Sequence, residues 1–284
     1  MRFFQPLLTI FLFLAFCLPA NALVESKVFN TITTEAAPLD IASSENGTWT
    51  FVLTEGGKVY IFSANGQLND VLEVDPSADS IFVTGNGGSK LLVSSSKSKK
   101  VQLISLSFAA EINTEGSPFL GNPNAPVTLI LFSDFQCPFC SKLVPVIEEV
   151  ALAYPDTVKI VFKHFPLRNH RYASLAALAA IAAQQQGKFW EFHDQLFPLQ
   201  KELDQDKIIG VAQNLGFDMK KFTSDVGGED AKNQLTKDLN DGQAAGVRGT
   251  PTVFINGRQP DKLDFEEIKK AIEAELKLTK SQQK

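Results

Sequence analysis

Val127-Thr-Leu-Ile-Leu-Phe132 runs directly into Ser133-Asp-Phe-Gln-Cys137-Pro-Phe-Cys140. The first six residues form a near-continuous apolar run, as in a strand buried on both faces of a sheet. From about Pro138 to Ala153 the pattern is helical, bent or interrupted near Pro145. A buried strand that enters a helix through two cysteines predicts Cys137 at or just before the first helical turn. Unpaired backbone N–H groups and the positive end of the helix dipole favour a thiolate there. In Cys-x-x-Cys motifs so placed, thiol pKa values fall from about 8.5 to roughly 3.5–7. Pro138 suits the first turn, where a missing N–H costs nothing. The spacing lets Cys140 reach Cys137 from the same turn, so a disulfide can open and close without refolding.

Two other chemistries compete for the pair. Structural zinc needs four ligands, and the pair would have to recruit two from His164, His170 and His193, with no second Cys-x-x-Cys in the chain. A purely structural disulfide would close a very short loop and gain little chain-entropy stabilisation. Reversible redox chemistry is the stronger reading. It requires no metal and no cofactor beyond the Cys137–Cys140 disulfide itself.

Outward from this stretch the chain alternates. Val158-Lys-Ile-Val-Phe-Lys163 reads as the next strand. A helical block fills roughly 169–245, densest over Tyr172–Gln186 and stopped by Gly187. Thr252-Val-Phe-Ile255 is a short strand, Asn256-Gly257 a hairpin turn to another strand, and Asp264 with Glu267 opens a final helix. The predicted order is β, α, β, inserted helices, β, β, α. Charged residues in 199–241 read as solvated helix faces.

Upstream, Ser117-Pro-Phe-Leu-Gly-Asn-Pro-Asn-Ala-Pro126 follows Gly116 and cannot sustain a helix or a central strand. Residues 116–126 are therefore expected to be a linker between residues 127–284 and a small all-β domain over 23–115. Within the latter, Thr48–Thr54 and Lys58–Ser63 flank Glu55-Gly-Gly57, a hairpin signal. Lys58-Val-Tyr-Ile-Phe-Ser63 aligns with Lys100-Val-Gln-Leu-Ile-Ser105, and the strand around Phe51 with that around Val93. A period of about 40–45 residues resembles propeller blades, but two blades cannot close a ring of about 4–8. Open strand edges recruit partners, so residues 23–115 are expected to support a homodimer.

At the N-terminus, Arg2, the apolar run Leu7–Leu18 and Pro19-Ala-Asn-Ala22 describe a secretory signal over 1–22, cleaved near Ala22. The run is too short to span a bilayer, which takes about 20 residues. Cleavage would discard Cys17; Phe16 before it argues against a lipidated cysteine. Losing Arg2 would take the formal charge from −5 to −6. That acidic balance argues against a nucleic-acid partner. Apolar residues at 44% and charged residues at 21% are those of an ordinary globular chain.

Several separated pieces now converge. Gly121-Asn-Pro-Asn-Ala-Pro126, Phe132–Cys140, Lys163-His-Phe-Pro-Leu167, Gly187-Lys-Phe-Trp-Glu-Phe-His193 and Gly249-Thr-Pro-Thr-Val-Phe254 together resemble the DsbA-like branch of the thioredoxin-fold family, over about 117–277. The resemblance implies an α/β thioredoxin-like fold with a helical insertion at about 169–245. It implies Cys137 as nucleophile, Cys140 as resolving cysteine, and Pro138 and Phe139 as the residues that tune the pair. It also implies a cis Pro251 facing the cysteines, with the Thr250 backbone free to pair with an extended substrate. The implied activity is protein thiol–disulfide exchange on unfolded or reduced exported proteins, in the periplasm or otherwise in the envelope or outside the cell. An oxidase would be recharged by a membrane redox partner.

One position departs from the pattern. Family members often carry a buried acid six residues before the first cysteine, and here that residue is Leu131. Its absence predicts slower deprotonation of Cys140, or a water in that role. Asp134 reads as structure of the approach to the helix, and His164 and His193 as structural or packing residues. Pro-Phe between the cysteines resembles the Pro-Tyr of some isomerase-like and glutaredoxin-like relatives, and a dimerising N-terminal domain resembles the disulfide isomerases. The oxidase direction is favoured slightly over isomerase or reductase. The reading from another class is a ligand- or partner-binding protein on a redox-sensitive scaffold.

Overall fold

A computed structural model describes residues 26–28, 30–85 and 89–282. The expected signal segment 1–22, with Cys17 and Ala22, lies outside the described residues. The chain divides into two compact units between Leu106 and Ser107.

The first unit is all β. Strands β1 (Pro38–Ser43), β2 (Trp49–Thr54), β3 (Lys58–Ser63) and β4 (Leu68–Glu73) form one antiparallel sheet in chain order. Strands β5 (Ser80–Thr84), β6 (Lys90–Ser95) and β7 (Lys100–Ser105) form a second. The repeat is visible in three strands: β5, β6 and β7 follow β1, β2 and β3 after 41 or 42 residues. The counterpart of β4 would fall near Ala110, but that residue belongs to the second unit, where its N–H donates to the Gly257 carbonyl at 2.8 Å. Among the described residues β7 therefore has one strand neighbour, β6. Strand alternation buries Phe51, Leu53, Val59 and Ile61 in the first sheet and Ile81, Val83, Leu91 and Val93 in the second. The opposite face of the second sheet carries Phe82, Leu92 and Leu103 in one register row. Leu103 on it is 80% exposed.

The second unit is built on a sheet in the order β11-β9-β10-β8, where β8 is Phe119–Leu120, β9 Val127–Ser133, β10 Val158–His164 and β11 Thr252–Ile255. Strands β9 and β10 are parallel, joined by α1 (Pro138–Ala153); β11 and β8 run antiparallel to their neighbours. Between β10 and β11 lie α2 (Ala173–Gln184), α3 (Phe189–Leu196), a 3₁₀ turn (Phe197–Glu202), α4 (Gln205–Asn214), α5 (Met219–Gly227) and α6 (Glu229–Ala244). Helix α7 (Phe265–Gln282) ends the described chain, with Asp264 accepting from the Glu267 N–H at 3.0 Å.

Three expectations change. The stretch 116–126 is not a connection between the units. It lies inside the second one, where β8 pairs with β10 and the Phe162 N–H donates to the Pro118 carbonyl at 2.9 Å. Prolines are tolerated beside an edge strand because the outward N–H needs no partner. The turn at Asn256-Gly257 is present, with φ of 45° and 81°, but the returning strand is a single bridge, Ile255 to Arg258; Pro260 follows at once and removes a donor.

The third correction concerns the charges of the insertion: Asp238 is fully buried and Asp241 partly so, both paired with a buried lysine. Lys163 on β10 has a fully buried side chain, and its Nζ lies 2.5 Å from Asp241 Oδ2, 3.0 Å from Asp238 Oδ1 and 2.7 Å from the Asn113 carbonyl. Asp238, also fully buried, accepts from the His164 N–H at 2.9 Å and Gln234 Nε2 at 3.0 Å. Burial works against the charge on Asp241, but the hydrogen bond and charge of Lys163 outweigh it and hold this carboxyl below its ordinary range. One turn on, Gly242 lets α6 settle on the aromatic rings of the sheet. A Cβ there would come within 2.7 Å of Phe165 and 3.0 Å of Phe132.

Candidate active site

Strand β9 delivers Cys137 to the N-cap of α1, with extended backbone (φ −77°, ψ 121°) and Pro138 next in the first turn. Its own N–H donates to the Asp134 carbonyl at 3.0 Å, and its carbonyl accepts from Ser141 at 3.2 Å. The thiol points across to the Thr250 carbonyl at 3.3 Å, and Thr250–Pro251 is a cis peptide. Residues 113 positions apart thus meet at the mouth of α1. Cys140 lies one turn inside the helix. Both sulfurs are free thiols and nearly buried, whereas Phe139 between them is 65% exposed.

Where the family's acid would face Cys140, this chain is apolar. Leu131, where the family's acid would stand, pairs in register with Phe162 on one side and Val253 on the other. Burial pushes the Cys140 thiol up to about 12, against hydrogen bonds from the Ser133 side chain and the Asp134 backbone. A thiol near 12 is thiolate to the extent of about 10⁻⁴ at pH 8, against roughly a quarter for an ordinary cysteine. A thiolate of higher pKa is also the stronger nucleophile, so in the reduced protein Cys140 should react with iodoacetamide at pH 8 on the order of a hundredfold more slowly than an unperturbed thiol. Mass spectrometry of the time course would show Cys137 labelled first; equal labelling of both would contradict the geometry.

Asp134 does not serve the sulfurs through its side chain. Its carboxylate is buried and accepts from the Gln136 N–H (2.7 Å) and the Leu167 N–H (2.9 Å), and pairs with His170 Nδ1 (2.7 Å). It ties the turn before Cys137 to the loop after β10, as its sequence position suggested. Gln136 extends the tie: its Oε1 accepts from the Tyr172 N–H, and its carbonyl from Gln200 Nε2, both at 2.5 Å. Nothing in the sequence marked Gln136, because its partners are 36 and 64 residues away.

His164 is buried against Phe135, Phe162 and Phe189 with neither ring nitrogen bonded to protein. Burial lowers it to about 4, although Asp238 opposes the shift. An unfolded histidine binds its proton below about 6.5. Between there and 4 the unfolded state holds more protons, so stability falls as pH falls through this window. The loss is about 3 kcal/mol at 1.36 kcal/mol per pH unit. Urea unfolding at pH 6.5 and pH 4 should show that loss in the natural protein and not in His164→Phe; parallel pH curves would refute it.

His193 has a second setting beyond packing. Its ring meets Phe135, Phe162, Trp190 and Phe197 edge to face, but it also lines a pocket of about 100 Å³ with Leu131, Cys140, Glu148 and Asp194. Its Nδ1 lies 2.7 Å from Asp194 Oδ1. Adjacent residues on a helix do not ordinarily face each other, so this pair has no signature in the sequence. Among the described residues no group of three His, Cys, Asp or Glu side chains is arranged to hold a metal ion.

Residues 113–274 match the thioredoxin family. BdbD from Bacillus subtilis, in its oxidised form, is similar over 60% of this chain and 98% of its own, at 28% identity and a TM-score of 0.54. A thioredoxin-like oxidoreductase from Silicibacter pomeroyi is similar over 57% of this chain and 94% of its own, at 26% identity and a TM-score of 0.52. Curated relatives include the Na(+)/H(+) antiporter NhaA 1 of Mycolicibacterium vanbaalenii, 38% identical over 158 residues that make up 54% of this chain and 26% of the antiporter. NhaA 3 of Salinispora tropica is 37% identical over 140 residues, 49% of this chain and 21% of that protein. The chain spans about a quarter or less of the length of these relatives. Among the described residues no helix is long and apolar enough to cross a membrane.

Proposed function

The chain belongs to the thioredoxin family, with a helical insertion of the DsbA-like kind behind an all-β unit, and from that premise we propose that it is a protein thiol–disulfide oxidoreductase working through Cys137 and Cys140. The observation that carries this is the placing of Cys137: at the N-cap of α1, its thiol 3.3 Å from the Thr250 carbonyl, with Cys140 one turn inside. As an oxidase, the Cys137–Cys140 disulfide is attacked at Cys137 by a substrate thiolate, and a second substrate thiol displaces the mixed disulfide. Both protein sulfurs leave reduced. In the reductive direction Cys137 attacks and Cys140 resolves. Thr250 and Pro251 offer backbone to an extended client, and Pro138 and Phe139 set the poise. No cofactor beyond the pair is invoked.

The clients in this reading are reduced or unfolded exported proteins in the periplasm or envelope, and the oxidase direction is favoured. Export is supported by the charge and hydropathy of residues 1–22. An oxidase would return its electrons to a membrane redox partner. The reduction potential of the pair in glutathione buffers tests the direction. A value near or above about −150 mV supports a disulfide donor, and one near roughly −230 to −270 mV a reductase or an isomerase kept reduced. A pair that does not exchange with glutathione ends the redox reading.

The β7 edge, which among the described residues has one strand neighbour and exposes Val101 and Leu103, favours a second reading: an isomerase or reductase dimerised through the first unit. Lysine on an edge strand blocks pairing between chains. Light scattering of the full chain should give a dimer, and Leu103→Lys a monomer. A natural protein already monomeric at high concentration would sink the dimer.

A further inference from the structure

A resolving cysteine must lose its proton when it attacks and regain it when it leaves, and the apolar setting of Cys140 makes both steps hard without help. Leu131, Phe162 and Val253 supply no group that could give it. Help is present on the other wall. The pocket beside Cys140 is lined by His193, Asp194 and Glu148 and is large enough to hold water. A carboxylate accepts and does not donate, so the 2.7 Å contact between Asp194 Oδ1 and His193 Nδ1 makes that nitrogen the donor. In the neutral ring Nε2 then carries the lone pair. The ring is held among Trp190 and Phe197 at centroid distances of 5.1 and 4.8 Å, so its orientation is fixed before any reaction.

The geometry points to His193, oriented by Asp194, as the group that takes the proton from Cys140 and returns it, through a water in the pocket they share. This rests on the oxidoreductase reading. In the resolving step the Cys140 S–H proton passes by the water to His193 Nε2. The Cys140 sulfur attacks the Cys137 sulfur of the mixed disulfide, the Cys137–Cys140 bond forms, and the bond from Cys137 to the substrate sulfur breaks. The substrate sulfur leaves as a thiolate and is protonated from the medium. The protein pair loses two electrons to the substrate disulfide. Run backwards, a substrate thiolate attacks Cys137, and His193 with a proton taken up on Nε2 passes it by the water to the Cys140 sulfur as that sulfur leaves. The titratable groups around the ring are Asp194 on its own helix, Cys140 and Glu148 on α1, and His164 on β10. General acid–base help of this kind is worth about 10²–10⁴ in rate.

The test is stopped-flow reaction of the reduced full chain with one equivalent of 5,5′-dithiobis(2-nitrobenzoate). Attack by Cys137 releases the first thionitrobenzoate, and resolution by Cys140 releases the second. His193→Phe, which keeps a ring in the aromatic cluster, should slow the second release about 10²-fold at pH 7 and leave the first within about twofold. In that variant the second rate should climb tenfold per pH unit, with a shallower climb in the natural protein. Asp194→Asn, on the surface, should slow the second phase by a smaller factor and so reports on the pair without disturbing the core. If both variants keep the second phase, or if Glu148→Gln slows it while His193→Phe does not, the assignment is overturned. If the natural protein shows no first release at all, it is the oxidoreductase reading that has failed.

Discussion

Cys137→Ser will bring thiol–disulfide exchange down to the uncatalysed background. The variant retains one sulfur, but that sulfur is Cys140, inside the first turn of α1 and pushed up to about 12 by burial, so it offers almost no thiolate to attack a disulfide. Oxidation of a reduced unfolded protein and reduction of insulin should both be lost. Cys140→Ser should behave differently: attack at Cys137 survives, resolution does not, and mixed disulfides accumulate on non-reducing gels. A Cys137→Ser protein with full activity would refute the enzyme and leave the binding-protein reading in its place.

Lys163→Met will cost about 3–5 kcal/mol, the penalty for removing one partner of a buried ion pair. Asp241 keeps Lys237 at 3.2 Å and some contact with solvent. Asp238 does not: the cation is gone, and only Gln234 and the His164 N–H remain to a carboxylate with no exposed surface. At roughly 2–4 °C per kcal/mol for a unit of this size, the midpoint of thermal unfolding should fall on the order of 10 °C. Pairing the change with Asp238→Leu should recover part of it, because the uncompensated charge goes too. A drop of under about 1 kcal/mol would mean the network is not what joins α6 to the sheet.

The strand–Cys-x-x-Cys–helix sequence was readable because each piece is local. The apolar run, Pro138 and the two-residue spacing fix β9, α1 and the place of Cys137 within a few residues of chain. The repeat in the first unit was readable for the same reason, since hairpin signals recur at one spacing. What was not readable is held by distant partners. Lys163, Asp238 and Asp241 look like surface charges until β10 and α6 are brought together. The segment 116–126 looks like a linker until β8 finds β10. Asp194 and Glu148 carry no pattern that points to Cys140, and His193 sits in an aromatic run that reads as core. The missing acid at Leu131 was legible, but what stands near Cys140 in its absence needed the pocket.

The helical insertion leaves the sheet and rejoins it at one end. His164 closes β10 opposite Ser133, and Thr252 opens β11 opposite Phe132, so both junctions flank the tip of β9, four to five residues before Cys137. An excursion whose ends are pinned this closely can change length at little cost, about 0.6 kcal/mol for each doubling of a flexible loop. The strands that aim the cysteines would keep their register through such changes. Evolution can thus redraw the helices between these ends as a module exchanged at two fixed sockets, while Asp238 and Asp241 must stay within reach of Lys163.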